Sequence, residues 1–392
     1  MPFLKIIRNL FMQTAEHTSP IHMINLSEQY GQQKVEIDQA IASVLVRGDY
    51  INGLEVTEFE HQLAKFTHTP HVVACGNGTD ALQLALMSLG VGYGCEVIIP
   101  AFAYVSVAEV VVLLGAKPVF VDIENDYFFM DLDRVKTAIT PRTKAIICVH
   151  LFGQTGNLSG LIDIALHHNI FLIEDNAQAL GGSYTHNYET KFLGNFGHIG
   201  CTSFFPTKNL GCFGDGGAIF TSLAPLGKKL RMIASHGQTV KYQHDLVGIN
   251  SRLDTLQAAI LKVRLNYLAK QQNRKKIIYE QYILGLQNQN LFILPKANPD
   301  CCPAWHQFTV RVKNGKRNQL KDFLAKNGVP SMIYYPIPLS AQTAYRMETY
   351  KTEDFPIAEE AANSVLSLPI HSGLTNEQIK YIIACLKDFE NA

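Results

Sequence analysis

The chain has 392 residues, 47% hydrophobic and 17% charged, with 34 basic and 34 acidic side chains that cancel to a formal net charge of zero. That length supports two domains with substantial cores, and the balance is that of an ordinary globular protein. A neutral chain implies no extended basic face, which argues against nucleic acid as a main partner.

The N-terminal stretch "MPFLKIIRNLFMQTAEHTSP" carries Lys5 and Arg8 inside its apolar part and has no small-residue cleavage site. It reads as an extension over residues 1–22, or as sequence ahead of a start at Met23, and not as a signal peptide. No apolar run approaches the ~18 residues of a membrane-spanning helix. From about residue 71 to 222, short apolar runs ("HVVAC", "EVIIP", "KPVFVDI", "KAIICVH", "IFLIED") alternate with helical stretches ("DALQLALMSLG", "VSVAEVVVLLG", "LDRVKTAIT", "GLIDIALHHN"). Such alternation predicts an α/β fold, a mainly parallel sheet with helices on both faces. The near-continuous apolar strands fit a sheet buried on both sides.

A long helix is expected from about Asp254, where Leu256, Ile260, Val263 and Tyr267 recur at helical spacing before the sequence turns polar at "KQQNRKK". It would link a large domain (residues 23–253) through residues 254–287 to a smaller α+β domain (288–392). That last part reads as strand ("HQFTVRV"), helix ("RNQLKDFLAKNG"), strand ("VPSMIYYPIP"), helix into strand ("EEAANSVLSLPI") and a final helix ("NEQIKYIIACLKDF"). The eight cysteines sit mostly in apolar runs such as "AIICVH", with no C-x-x-C pair. They read as buried free thiols of a reducing compartment rather than metal ligands.

Open α/β sheets bind ligands beyond the carboxyl ends of their strands. After "HVVAC" comes "GNGTDAL": glycines allow close approach, Thr79 is placed to cap the next helix, and free amides there suit an anion such as phosphate. A plain strand-to-helix turn would look the same. After "IFLI" come Glu174 and Asp175, carboxylates at a buried strand end that need a partner. They could form a cap or buried ion pair, or face a cationic ligand atom. The third feature is "SFFPTKNLGCFGDGG", where Lys208 lies between an aromatic run and a glycine-rich turn. Lysines usually snorkel to water, whereas a desolvated one becomes an amine nucleophile able to form a Schiff base. An anion cradle, a buried carboxylate and a buried amine together match pyridoxal 5′-phosphate, whose phosphate, ring nitrogen and aldehyde call for these groups.

The motifs "GDYINGLEVTEFE", "GNGTDALQLAL", "PAFAYVSVAE", "IEDNAQALG", "TSFFPTKNLGCFGDGGAI", "GINSRLDTLQAAIL", "IYYPIPL" and "LSLPIH" occur in an order and spacing that resembles the DegT/StrS-type sugar-nucleotide aminotransferases. The resemblance runs from about residue 24 to the C-terminus and implies the aspartate-aminotransferase-like fold (fold type I). It implies that Lys208 binds the cofactor and moves a proton, that Asp175 holds the pyridine nitrogen protonated, and that Gln178 bonds the phenolic oxygen. Tyr104 would stack on the ring, Gly78, Thr79 and Ser203 would hold the phosphate, and Asn250 would reach the phosphate in the neighbouring subunit of a homodimer with shared sites. Members of the family that are dehydratases carry histidine in place of the lysine, so Lys208 points to transamination.

The resemblance implies a cytoplasmic enzyme that takes an amine, usually from glutamate, and gives it to a nucleotide-linked keto-sugar for lipopolysaccharide or another surface glycan. "SHGQTVKYQH" followed by "GINSRLD" is most similar to the subgroup acting on UDP-2-acetamido-3-keto-hexuronates. Enzymes that aminate C4 of 4-keto-6-deoxy sugars share most of these residues. His236, Arg252, Tyr334 and Tyr335 are candidate sugar-nucleotide contacts, or equally surface or interface packing. The chain departs from the pattern at Ser340, where many members carry histidine after "YYPIPL". Cys212, four residues after the lysine, has no role beyond packing.

Overall fold

The computed structural model describes residues 20–345 and 351–391, so residues 1–19 of the expected N-terminal extension lie outside the described residues. Helices α1 (Leu26–Arg47) and α2 (Leu54–Thr67) come first. The Asn25 side chain caps α1 by accepting from the Glu28 amide, and Gly48 ends it in the left-handed conformation that glycine tolerates best.

Four strand–helix units follow: β1 (His71–Cys75) with α3 (Gly78–Ser88), β2 (Glu96–Pro100) with α4 (Ser106–Leu113), β3 (Lys117–Val121) with α5 (Leu132–Ala138), and β4 (Thr143–Val149) with α6 (Leu158–His167). After β5 (Phe171–Asp175), the hairpin β6 (Ser183–His186) and β7 (Glu189–Phe192) leads to β8 (Ile199–Ser203), β9 (Gly217–Thr221) and α7 (Ala224–Ala234). Seven strands form one sheet in the order β1-β9-β8-β5-β4-β2-β3. Only β9 runs against its neighbours, pairing antiparallel with both β1 and β8.

Alternate residues of these strands enter opposite cores. Val97, Ile99, Ala145, Ile147 and Ile173 pack with Leu82, Leu86 and Val110 of α3 and α4. Ile98, Ile146, Cys148 and Leu172 pack with Val135, Leu158 and Leu161 of α5 and α6. Both faces are buried, which is why the strands are apolar throughout.

Beyond the sheet, a small hairpin of β10 (Gln238–Val240) and β11 (Gln243–His244) precedes the long helix α8 (Thr255–Leu286). Its first half, through Ala258, Leu261, Leu265 and Leu268, packs against Val56, Phe59 and Leu63 of α2. Its last turns, through Ile278, Tyr282 and Leu286, enter a different core. That second core also holds β14 (Phe308–Val312), α9 (Arg317–Lys326), β15 (Val365–Leu368) and α11 (Asn376–Glu390), with β12 (Phe292–Ile293) at the sheet edge. Strand β13 (Cys301–Cys302) instead pairs with β6. Leu339 and Phe355, together with Ala358 and Ala361 of α10 (Pro356–Ser364), join the core of the main sheet.

One expected strand is not a strand. "VPSMIYYPIP" forms a loop with a single bridge, Met332 to Ser367. Pro330, Pro336 and Pro338 cannot donate to a ladder, and its tyrosines turn towards the cleft described below. Among the described residues, no helix is long and apolar enough to cross a membrane.

Candidate active site

The carboxyl ends of β1, β4, β5 and β8 open into a cleft of about 770 Å³. Its lining includes Gly78, Thr79, Tyr104, Asp175, Gln178, Ser203, Lys208, Tyr334 and Tyr335. Nine of the residues singled out in the sequence are thus brought together from five separate stretches of chain.

Lys208 is carried by a loop closed on itself. Phe204 and Gly216 are joined by a backbone hydrogen bond of 2.7 Å, the Cys212 amide donates to Phe204 at 2.8 Å, and the Lys208 amide donates to Phe205 at 2.8 Å. Gly211 fits because a Cβ there would stand 2.4 Å from the Pro206 carbonyl oxygen. Cys212 has a role after all: its buried Sγ lies 3.0 Å from the Phe204 carbonyl and 3.1 Å from that of Gly214, its one S–H shared between them to brace the turn, and burial pushes the thiol up to about 11. Burial lowers the Lys208 amine from its ordinary value, and the Asp175 charge partly opposes this. An amine so lowered has a larger neutral, nucleophilic fraction near neutral pH.

The paired carboxylates at the end of β5 divide between the two roles open to them. Glu174 is structural. It accepts from the amides of Gly194 (2.8 Å), Phe196 (2.6 Å) and Gly197 (2.6 Å) and meets His150 Nε2 at 2.8 Å. Burial would raise its carboxyl, but the His150 bond and these amides outweigh burial and hold it below the usual range. Asp175 is 6% exposed, faces the cleft and accepts from the Ala177 amide at 3.0 Å. Burial raises its carboxyl, with the Ala177 bond and the Lys208 charge only partly opposing. A cationic ligand atom beside it would relieve that strain.

Thr79 does not cap α3. Asn77 does, its Oδ1 accepting from the Asp80 amide at 2.8 Å. The substitution makes sense physically, because the helix begins at Gly78 and a cap must stand one residue outside it. The amides of Gly78 and Thr79 therefore sit in the first turn, where helix amides lack an internal partner and attract an anion. Two glycines make the space: a Cβ on Gly78 would lie 2.6 Å from Ser203 Cβ, and one on Gly217 would lie 2.4 Å from the Asn77 carbonyl oxygen. The Gln178 amide is oriented at both ends, accepting from the Phe152 amide (2.7 Å) and donating to the Tyr335 hydroxyl (3.2 Å). Tyr104 is 51% exposed at the mouth, its ring centroid 6.0 Å from that of Tyr335.

His236, Asn250 and Arg252 do not join this cleft in the single chain. His236 and Asn250 are exposed on the segment that carries β10 and β11, and Arg252 lines a separate cleft with Asn52, Glu60 and Arg231. Ser340 is buried in a short 3₁₀ turn anchored by the Leu339 amide on the Ala101 carbonyl, away from the cleft lining. Sequence reasoning missed His306 and Gln307, which line the cleft from the segment after β13. Burial, with the Lys208 and Lys275 charges, keeps His306 well below its ordinary value and so neutral. A lone histidine in "PAWHQF" gives no signal; the tertiary bonds of the Ala304 amide to Gly153 and of the His306 amide to Phe152 set it in the cleft lining with Lys208.

The donor set fits pyridoxal phosphate: unpaired helix-end amides and a cradle with no room for a Cβ would take its phosphate, a buried carboxylate its ring nitrogen, and an enclosed amine its aldehyde. On this fold, such a site is that of a pyridoxal-phosphate-dependent aminotransferase. The chain belongs to the DegT/DnrJ/EryC1/StrS aminotransferase family, whose model matches residues 32–387. It is 44% identical over 366 residues to a UDP-2-acetamido-2-deoxy-3-oxo-D-glucuronate aminotransferase of Pseudomonas aeruginosa, covering 93% of this chain and 99% of that one. A dTDP-3-amino-3,4,6-trideoxy-alpha-D-glucose transaminase of Streptomyces venezuelae is 38% identical over 96% of this chain and 98% of its own. The structure of S. venezuelae DesV in complex with a ketimine intermediate matches with a TM-score of 0.91 at 38% identity, over 95% of this chain and 99% of that one. The family depends on pyridoxal 5′-phosphate.

Proposed function

We propose that the enzyme transfers an amino group from glutamate to a UDP-linked 2-acetamido-3-keto-hexuronate, in the cytoplasm, on the way to lipopolysaccharide or another surface glycan. The observation that carries the reading is the enclosed amine of Lys208 facing Asp175 beside the free amides of α3. Bound pyridoxal phosphate supplies an aldehyde that carries the amino group and a ring that takes up electrons. Asp175 holds the proton on the ring nitrogen. Gln178, already fixed by Phe152 and Tyr335, keeps one amide hydrogen for the phenolic oxygen. Gly78, Thr79 and Ser203 hold the phosphate, and Tyr104 covers the ring. Lys208, its neutral form favoured by burial, takes the proton from the substrate carbon and returns it on the other side of the transfer.

A homodimer with shared sites completes the cleft. Among its described lining residues, Lys208 is the one lysine or arginine, against Asp80, Glu109, Asp175 and Asp215. A nucleotide diphosphate bearing a carboxylated sugar needs cations that this protomer does not place there. Arg252, Lys241 and His236 stand on or beside an outward segment whose Val240, Tyr242 and Val247 are also exposed. Three exposed apolar side chains on one short segment support an interface there. In a second copy this segment would bring Asn250 to the phosphate and Arg252 and His236 to the substrate, opposite Tyr334 and Tyr335.

The test is run in reverse: the pyridoxal form is offered a panel of nucleotide amino-sugars, and the loss of its visible absorbance is followed. A UDP-linked 3-amino-hexuronate should discharge the band. A response only to dTDP-4-amino-6-deoxy sugars would replace the proposed substrate with the 4-keto class. Lys208→Ala should abolish turnover, and appreciable remaining activity would sink the assignment of the amine.

A further inference from the structure

A second lysine shares a small cavity with Lys208. Lys275 comes from α8, in the stretch between Leu268, which packs in the α2 core, and Ile278, which packs in the core of β14 and β15. Its Nζ donates to Asn209 Oδ1 at 2.6 Å. Among the described residues, no carboxylate stands within ion-pair distance of it, and burial lowers it to about 8. Lys208, Lys275, His306 and His371 all line a cavity of about 20 Å³, room for a single water. No acidic side chain lines it either. Lys275 is half-buried, and an ammonium facing only a neutral amide is a costly way to satisfy Asn209 Oδ1.

What Lys275 does hold is the orientation of Asn209. With Oδ1 fixed by the ammonium, the Asn209 Nδ2 is turned to the carbonyls of Gln178 (3.3 Å) and Ala304 (3.4 Å). Asn209 is the residue next to Lys208, Gln178 follows the end of β5 in the cleft lining, and Ala304 precedes the Trp305–His306 segment at its edge. One ammonium therefore ties the lysine loop, the strand end and the His306 segment to the long helix.

The geometry points to Lys275 as a positioning residue for the amine transfer: acting through Asn209, it holds the Lys208 loop where its amine reaches the reacting carbon. The assignment rests on Lys208 being the reactive amine, and on nothing about which sugar is the substrate. Misplacing a reacting group by about 1 Å costs on the order of a hundredfold in rate. Loss of one tether in a loop held by several should therefore cost roughly tenfold in kcat.

Three variants of the full-length holoenzyme test it: Lys275→Met, Lys275→Arg, and Lys275→Cys alkylated with 2-bromoethylamine, which rebuilds a lysine-like side chain. Three readings are taken: kcat and KM for the amino donor, the thermal midpoint, and the acetylation rate of Lys208 in cofactor-free protein by peptide mass spectrometry. Lys275→Met should lower kcat about tenfold with KM within about twofold, and change the Lys208 acetylation rate, while its thermal midpoint falls by only a few degrees, roughly the cost of leaving Asn209 Oδ1 without a donor. The alkylated cysteine should regain most of the lost kcat. A kcat within about twofold of wild type in Lys275→Met would overturn the assignment. So would a kcat loss that follows a falling midpoint and is not regained by Lys275→Arg or the alkylated cysteine. Lys208→Ala run alongside separates the two readings: turnover there would remove the underlying site, whereas an inert Lys208→Ala beside a fully active Lys275→Met removes only the role of Lys275.

Discussion

Glu174 and Asp175 are neighbours with the same chemical group and opposite duties, and the difference lies entirely in what surrounds each one. Successive strand residues point to opposite faces, so the Glu174 carboxylate meets the loop at Gly194–Gly197 and His150, whereas Asp175 faces the cleft. Removing the first leaves three backbone amides and an imidazole without an acceptor in the interior. Glu174→Ala should therefore cost about 3–5 kcal/mol of stability, read from a denaturant midpoint. Asp175→Asn should leave that midpoint within about 1 kcal/mol of wild type, because a group kept for function at a burial cost does not hold up the fold. Its turnover should fall steeply instead. A stability loss of equal size in both variants would show that the two carboxylates share a structural role.

At the scale of elements, the site depends on where helices and strands begin. Asn77 stops the chain from entering α3 one residue early, and the first-turn amides of Gly78 and Thr79 are left for an anion. Antiparallel β9 brings Gly217 against the Asn77 carbonyl, so backbone walls one side of the cradle and Ser203 the other. In an exposed helix, alanine is preferred to glycine by about 1 kcal/mol; here the new methyl would strike Ser203 Cβ. Gly78→Ala should weaken pyridoxal phosphate binding at least about tenfold in an absorbance titration, with the far-ultraviolet circular dichroism unchanged. Unaltered cofactor affinity would remove the phosphate from this helix end.

For the whole molecule, the question is whether one chain holds a complete site. Lys208 and Asn250 stand on different surfaces of the same protomer, one half-buried in the cleft lining and one outward. If Asn250 serves the neighbouring site, Lys208→Ala and Asn250→Ala damage different halves of each shared site. Mixing the two inactive variants by co-expression should then restore about a quarter of wild-type activity, because half the dimers are mixed and each of these has one intact site. No recovery on mixing, with mixed dimers confirmed by mass, would show that both residues act within one chain.

Read from the sequence alone, the alternation of apolar runs and amphipathic stretches determines the doubly covered parallel sheet, because a strand buried on both faces must be apolar throughout. The residue types near the strand ends narrow the roles open to Lys208 and Asp175, since a charge placed there needs a partner or a ligand, and the order of the motifs selects among those roles by resemblance. Only the tertiary structure gave Glu174 its partners, moved the cap of α3 from Thr79 to Asn77, and turned "VPSMIYYPIP" from strand to cleft wall. It alone brought His306 and Lys275 beside Lys208, across some hundred and some seventy residues of chain. Local pattern records which face of an element is buried, but it carries no trace of which distant element arrives to bury it.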